Sequence, residues 1–162
     1  MWSNFLALNG VLFPTVLSHS TNGFYYGVVS GSNIAVNGGA GGPAEIDSTG
    51  TNFDFLSAYL TGEWYSNLNI EVQGFRGGTL VYDQPVLASA TNSTLFTFNY
   101  LNIDRLTFNS FGGQTAGFPG GGGGEEFVMD NFTFDLVPEP STLLLAGFGA
   151  LALCPFLKRR RT

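Results

Sequence analysis

The feature that most constrains this chain is an uncharged apolar run close to its C-terminus. Residues 143–157 hold fifteen amino acids without a charged side chain, and the basic cluster Lys158–Arg161 follows directly. A helix on the surface of a soluble domain should be polar along one side, whereas every position of this run is apolar, glycine or proline. We therefore expect the run to lie in a membrane and the preceding residues to build a separate domain.

The length of the run sets how it can cross the membrane. As an α-helix, fifteen residues span about 22 Å, which is less than the roughly 30 Å of a hydrocarbon core. Long basic side chains extend to the interface and compensate for a short span. Lys158, Arg159, Arg160 and Arg161 mark the cytoplasmic side because basic residues are retained there. The pattern predicts a short C-terminal transmembrane helix with the domain on the non-cytoplasmic side.

The residues ahead of the tail show the pattern of short β-strands. Leu68, Ile70 and Val72 alternate with polar residues, which is the period of a half-buried strand. A hairpin is expected over residues 68–82, with its bend at residues 74–78. About eight such runs are separated by Gly, Asn, Ser and Pro. They predict an all-β, antiparallel, jelly-roll-like β-sandwich over residues 1–136, followed by a sorting tail over residues 137–162.

Two local predictions concern the ends of this domain. The aromatic and β-branched run at residues 24–29 is expected to be extended. The last strand is expected at residues 127–136, and simple alternation places Val128, Asp130, Phe132 and Phe134 on one face.

The charge distribution limits the partners of the domain. Two basic and twelve acidic residues precede Lys158, which is a net charge of −10. A body this acidic repels phosphate backbones, so we expect no nucleic-acid partner. Solubility and cation binding both remain open as reasons for the acidity.

The N-terminus and the cysteine content say less about how the protein is exported and what it binds. Residues 1–18 contain no Lys or Arg, and Asn4, Asn9 and Pro14 interrupt the apolar positions, so no clear signal peptide is present. Either export uses another route or the native start lies upstream; we expect the second, with the domain truncated at its N-terminus. The one cysteine, Cys154, lies in the apolar run, so no intrachain disulfide or cysteine-based metal site is expected.

The junction between domain and tail carries a recognisable motif. Val137, Pro138, Glu139 and Pro140 precede the apolar run, and the two prolines favour an extended backbone. This order of motif, apolar helix and basic cluster resembles the PEP-CTERM sorting signal, and the body is similar to the β-sandwich ectodomains found ahead of it.

The resemblance implies recognition by exosortase and removal of the tail near Pro138, Glu139 and Pro140, which are substrate residues and not catalytic ones. It also implies transient residence in the inner membrane, followed by the cell surface or extracellular space. Members of this family come from bacteria that make biofilm and exopolysaccharide.

Two groups of residues are candidates for binding. Trp64 and Tyr65, between Gly62-Glu63 and Ser66-Asn67, are possible glycan-stacking residues near a turn, with packing in the sandwich core as the alternative. Asp130 is a possible ligand of a structural calcium ion, with a hydrogen bond at a strand end as the alternative. No other cofactor is expected.

Catalysis is the least expected function. A glycoside hydrolase needs two facing carboxyl groups, whereas Glu125 and Glu126 are neighbours in sequence and would point apart on an extended chain. His19, the one histidine, has no motif around it that suggests a catalytic triad. We therefore expect a non-enzymatic surface or matrix protein with a structural or interaction role, with a glycan-binding module for exopolysaccharide as the alternative.

Overall fold

The computed structural model describes residues 1–16, 21–38, 43–119 and 123–137. Within these ranges the chain forms twelve strands and two short helices. In chain order the elements are β1 (Trp2–Ser3), β2 (Phe5–Asn9), α1 (Phe13–Val16), α2 (Gly23–Tyr26), β3 (Asn33–Asn37), β4 (Ala44–Asp47), β5 (Phe53–Gly62), β6 (Tyr65–Ser66), β7 (Leu68–Arg76), β8 (Thr79–Ala88), β9 (Thr94–Ile103), β10 (Arg105–Phe111), β11 (Gln114–Thr115) and β12 (Phe127–Leu136).

The strands form two five-stranded sheets in which all pairs are antiparallel. The first sheet has the order β1-β4-β10-β7-β8 and the second has the order β2-β3-β12-β5-β9, while β6 and β11 form a small separate pair. One core cluster takes buried side chains from both large sheets, so the two sheets pack face to face. This confirms the predicted antiparallel β-sandwich.

Aromatic side chains dominate the core between the sheets. Phe55 of β5 is fully buried and stacks on Phe98 at 4.8 Å and on Phe132 at 4.9 Å between ring centroids. The Tyr100 hydroxyl of β9 donates a hydrogen bond of 2.8 Å to the Val72 carbonyl of β7. Because β9 and β7 belong to different sheets, this bond joins the two layers across the core.

The predicted hairpin is present. β7 and β8 pair along their length, and Gly77 and Gly78 form the turn with φ values of 57° and 79°. Two successive residues with positive φ match a tight hairpin turn, in which glycine carries no steric penalty. Gly74 pairs with Tyr82 within the ladder, so the bend is shorter than the sequence indicated.

The extended run predicted at residues 24–29 is wrong: α2 forms at its start, and residues 27–29 belong to no strand. The Asn22 side chain accepts hydrogen bonds from the backbone N–H groups of Phe24 and Tyr25, at 3.2 and 3.5 Å, which caps the helix. A Cβ atom on Gly23 would lie 2.0 Å from the Gly62 carbonyl oxygen. This close packing against β5, which only glycine permits, outweighs the strand preference of the aromatic residues.

The predicted face of the last strand is also wrong. Asn131 has a φ of 50°, and the pairing of β12 with β5 shifts between Asp130 and Thr133. An irregularity of this kind reverses the side-chain alternation beyond it. Phe132 consequently packs against the main core with Phe127 and Met129, whereas Val128 belongs to a second cluster beside α2.

Within the ranges described here, no helix is both long and apolar enough to cross a membrane. The run at residues 143–157, on which the predicted transmembrane helix falls, lies outside them.

Candidate functional site

The candidate sites lie at the two ends of β12, which runs between β3 and β5 in the second sheet. Near its N-terminal end is an open cleft of about 500 Å³, which we call the acidic cleft. Its polar and aromatic lining consists of Asn37, Tyr65, Asn109, Ser110, Glu125 and Glu126.

The Asn37 side chain links three strands at the acidic cleft. Its side-chain oxygen accepts a hydrogen bond of 2.6 Å from the Phe127 backbone N–H, and its side-chain nitrogen donates one of 3.3 Å to the Ser110 hydroxyl. These bonds connect β3 and β12 of one sheet to β10 of the other. Above them, a Glu125 carboxylate oxygen accepts a hydrogen bond of 2.7 Å from the Gly112 N–H. Hydrogen bonds made by the polar side chains of the cleft therefore hold its walls in position.

The structure separates the two predicted stacking residues. Trp64 is partly buried and makes edge-on ring contacts with Phe24 at 6.1 Å and with Phe118 at 6.4 Å, which matches the packing alternative; glycan stacking at Trp64 stays a prediction. Tyr65 is partly buried against the main core and also lines the acidic cleft. Of the pair, Tyr65 is the residue with access to a ligand there.

Glu63, which the sequence did not single out, lies beside this cleft. It is 7% exposed, and its backbone N–H donates a hydrogen bond of 2.9 Å to the Glu126 carbonyl. Burial raises the pKa of Glu63 to about 8; the nearby Glu126 charge adds to the rise, and a hydrogen bond with Trp64 opposes it. With that pKa, most Glu63 side chains are protonated and uncharged at pH 7.

Glu63 and Glu126 also line a smaller apolar cleft of about 300 Å³. Apolar side chains such as Leu8, Phe24 and Val36 form much of its wall. The only local sign of this arrangement was an acidic residue directly after a buried strand. Because sequence neighbours gave no hint that β12 would bring Glu126 beside it, the proximity could not be predicted.

Asp130 holds a loop onto β12. One carboxylate oxygen accepts hydrogen bonds from the Val29 and Ser30 backbone N–H groups, at 2.7 and 2.9 Å, and the other accepts one of 2.7 Å from the Asn131 N–H. This geometry matches the hydrogen-bonding alternative for Asp130. Across the described ranges, no group of three or more His, Cys, Asp or Glu side chains is placed to hold a metal ion. Calcium at Asp130 stays a prediction.

The C-terminal end of β12 borders a second opening of about 280 Å³, which we call the aromatic groove. Trp2 and Phe134 are each 48% exposed on its walls, and Leu136 is 64% exposed. Asp47, Ser48 and Thr49 add polar groups to the lining. β12 pairs with β3 only at Val128 and Met129, so the sandwich is open beside the rest of the strand.

The predicted sorting residues follow this end of β12. The Val137 backbone N–H donates a hydrogen bond of 2.9 Å to the Asn52 carbonyl, and Val137 is the last residue that the structure describes. Pro138, Glu139, Pro140, the basic cluster Lys158–Arg161, Cys154 and His19 lie outside the described ranges.

Comparison with known proteins identifies the tail. Residues 136–161 match the family model of the PEP-CTERM protein-sorting motif. No curated protein matches the chain. Among solved structures, the chain resembles TmCBM61 in complex with β-1,4-galactotriose, with 10% identity, a TM-score of 0.38, and coverage of 86% of this chain and 88% of that one.

The motif match begins at Leu136, the final residue of β12. The sandwich and the motif therefore adjoin without an intervening segment. The chain consists of a β-rich domain that carries a PEP-CTERM protein-sorting motif at its C-terminal side.

Proposed function

We propose that this protein is an exported cell-surface or matrix protein whose tail is processed by exosortase and whose domain has a structural or interaction role. The observation that carries the proposal is the PEP-CTERM motif at residues 136–161. The motif implies processing by exosortase and passage across the membrane to the cell surface. Cleavage near Pro138–Pro140 would leave β12 whole, because that strand ends at Leu136.

The uncharged run and the basic cluster supply the physical step in this proposal. Residues 143–157 enter the bilayer because they are apolar on all sides. Lys158–Arg161 stop transfer at the cytoplasmic face. The domain then stays tethered on the non-cytoplasmic side of the membrane. Removal of the tail releases the domain, which keeps its acidic charge.

Expression in matched cells with and without exosortase tests this proposal. Mass spectrometry of the exported protein should find chains that end before Lys158 only when the enzyme is present. Replacement of Pro138, Glu139 and Pro140 by alanine should leave the full chain in the inner membrane, while Asp135→Ala, which changes an acidic residue just before the motif, should be processed normally. Exported protein that retains residues 158–162 would contradict the proposal.

A second candidate function is glycan binding in the acidic cleft. The observation that favours it is the combination of Tyr65 with amide, hydroxyl and carboxyl groups in one cleft. Ligand sites commonly combine an aromatic surface with a few polar groups that fix orientation. The ligand class is an exopolysaccharide with hydroxyl groups that bind Asn109 and Glu126, since the Asn37 side chain is already engaged by Phe127 and Ser110.

A pull-down with the exopolysaccharide of the producing cells tests this second candidate. Tyr65→Ala should reduce the amount of bound protein, because it removes the aromatic wall of the cleft. Tyr59→Ala provides a matched control, since Tyr59 is a partly buried tyrosine of β5 that does not line the cleft. Equal retention of the two variants would exclude the acidic cleft as the binding site.

A further inference from the structure

The chain contains two tryptophans, Trp2 and Trp64, whose side chains differ in their surroundings. Trp64 packs edge-on against two phenylalanines beside α2. Trp2 is 48% exposed at the aromatic groove, although its ring contacts Phe5 and Phe132 at 5.1 and 5.3 Å between centroids. A half-exposed tryptophan held in place by two other rings is suited to ligand contact, because its orientation is already set.

Phe134 is a second aromatic residue in the lining of the groove. Phe134 is 48% exposed and is held by ring contacts with Phe53 at 6.3 Å and Phe132 at 5.5 Å. The irregularity at Asn131 places Phe134 on this side of β12. Two fixed aromatic side chains thus line one opening of about 280 Å³, close to the lower limit of roughly 300 Å³ for small-molecule sites.

Hydrogen-bonding groups lie beside the aromatic walls. Asp47 and Thr49 are exposed and line the groove beside Trp2, whose indole carries one N–H donor. The groove therefore offers a hydrogen-bond acceptor and donors next to two half-exposed aromatic rings. A sugar ring presents the complementary surface, with C–H groups on its faces and hydroxyl groups around its edge.

Charge decides between kinds of sugar. The residues ahead of Lys158 carry a net charge of −10, and Asp47 lines the groove itself. The net charge of the domain repels a uronic acid or a sulfated sugar, and the single positive group in the lining, the Met1 amino group, offsets only part of it. A neutral hexose has no such penalty, and its hydroxyl groups can donate to the Asp47 carboxylate.

We propose that the aromatic groove formed by Trp2, Phe134 and Asp47 is a subsite for a neutral hexose unit of a glycan. It lies at the opposite end of β12 from the acidic cleft, so it adds a separate site to the glycan-binding candidate. The two sites have no lining residue in common, which allows each to be removed without the other.

Tryptophan fluorescence tests the groove directly. In a Trp64→Phe chain, Trp2 is the one remaining tryptophan and reports occupancy of the groove. The full chain is held in a detergent without a sugar headgroup and titrated with neutral tetrasaccharides of glucose, galactose and mannose, and with a glucuronic acid tetrasaccharide. A saturating change in Trp2 emission is expected with at least one neutral sugar and a smaller one with the acidic sugar.

Variants then separate the two sites. Phe134→Ala in the Trp64→Phe background should weaken the neutral sugar's binding about tenfold, while Tyr59→Ala, at a tyrosine that lines neither site, should leave the binding that Trp2 reports unchanged. Circular dichroism of each variant verifies that the sandwich is folded. No change in Trp2 emission with any sugar would overturn the inference. Calorimetric binding that Tyr65→Ala abolishes and Phe134→Ala does not would also overturn it, but would leave the acidic-cleft candidate standing.

Discussion

The two halves of β12 show how one strand can serve packing at one end and exposure at the other. Phe127, Val128 and Met129 are at most 1% exposed, because all three pack in buried clusters and β12 there pairs with β5 and, at Val128 and Met129, with β3. Phe134 and Leu136 are 48% and 64% exposed, where β12 pairs with β5 alone. The difference teaches that the elements packed around a residue, rather than its hydrophobicity, decide which aromatic side chains remain available for a ligand.

The largest expected effect comes from truncating matched phenylalanines in the two halves. Phe127→Ala should lower the free energy of unfolding by about 3–5 kcal/mol, since it leaves a cavity in a closed core. Phe134→Ala should cost about 1 kcal/mol or less, because half of the ring is already in water. Urea denaturation measures both. Equal losses would show that the aromatic groove is part of the core and not an open site.

A smaller, pH-dependent change in the free energy of unfolding is expected from Glu63, which is buried next to the N-terminal end of β12. Its pKa rises from an ordinary 4.5 to about 8 on folding, so between these values the folded protein keeps a proton that the unfolded chain has lost. The stability must therefore fall as pH rises through this window, at up to about 1.4 kcal/mol per pH unit. Glu63→Gln, which cannot ionise, should remove this decline and make the protein more stable than the parent at pH 8.

A change at Glu126 tests the second cause of the raised pKa of Glu63, which is the negative charge of Glu126. Glu126→Gln removes the neighbouring charge but leaves Glu63 buried, so the decline should persist over a narrower window. Denaturation at several pH values distinguishes these cases. The explanation fails if Glu63→Gln loses stability with rising pH as steeply as the parent protein does.

The smallest expected effect concerns the junction between the halves. Asp130→Ala removes an acceptor from three backbone N–H groups and should cost about 1–3 kcal/mol. Asp135→Ala, at an exposed position of the same strand, should change stability by roughly 0.5 kcal/mol at most.

Calorimetry with added Ca²⁺ and with EDTA completes the comparison. A melting temperature that rises with Ca²⁺ in the parent but not in Asp130→Ala would favour the calcium prediction over a purely hydrogen-bonding role.

Alternation along the chain was enough to predict the sandwich and several of its faces. Leu68, Ile70 and Val72 are fully buried, as their spacing indicated, and the glycine pair at residues 77–78 forms the expected hairpin turn. These features depend on residues close in sequence, whose effect on backbone conformation is local. The sorting motif was also readable, because its recognition depends on a linear order of residues.

The tertiary structure alone decided where the candidate sites lie. Glu63 meets Glu126 across a gap of more than sixty residues, and a left-handed Asn131 moves Phe132 and Phe134 to the face that simple alternation did not assign. Gly23 permits a helix where the aromatic run indicated a strand. Burial and proximity arise from the packing of distant segments, so local sequence patterns could specify the strands but not which side chains they leave open.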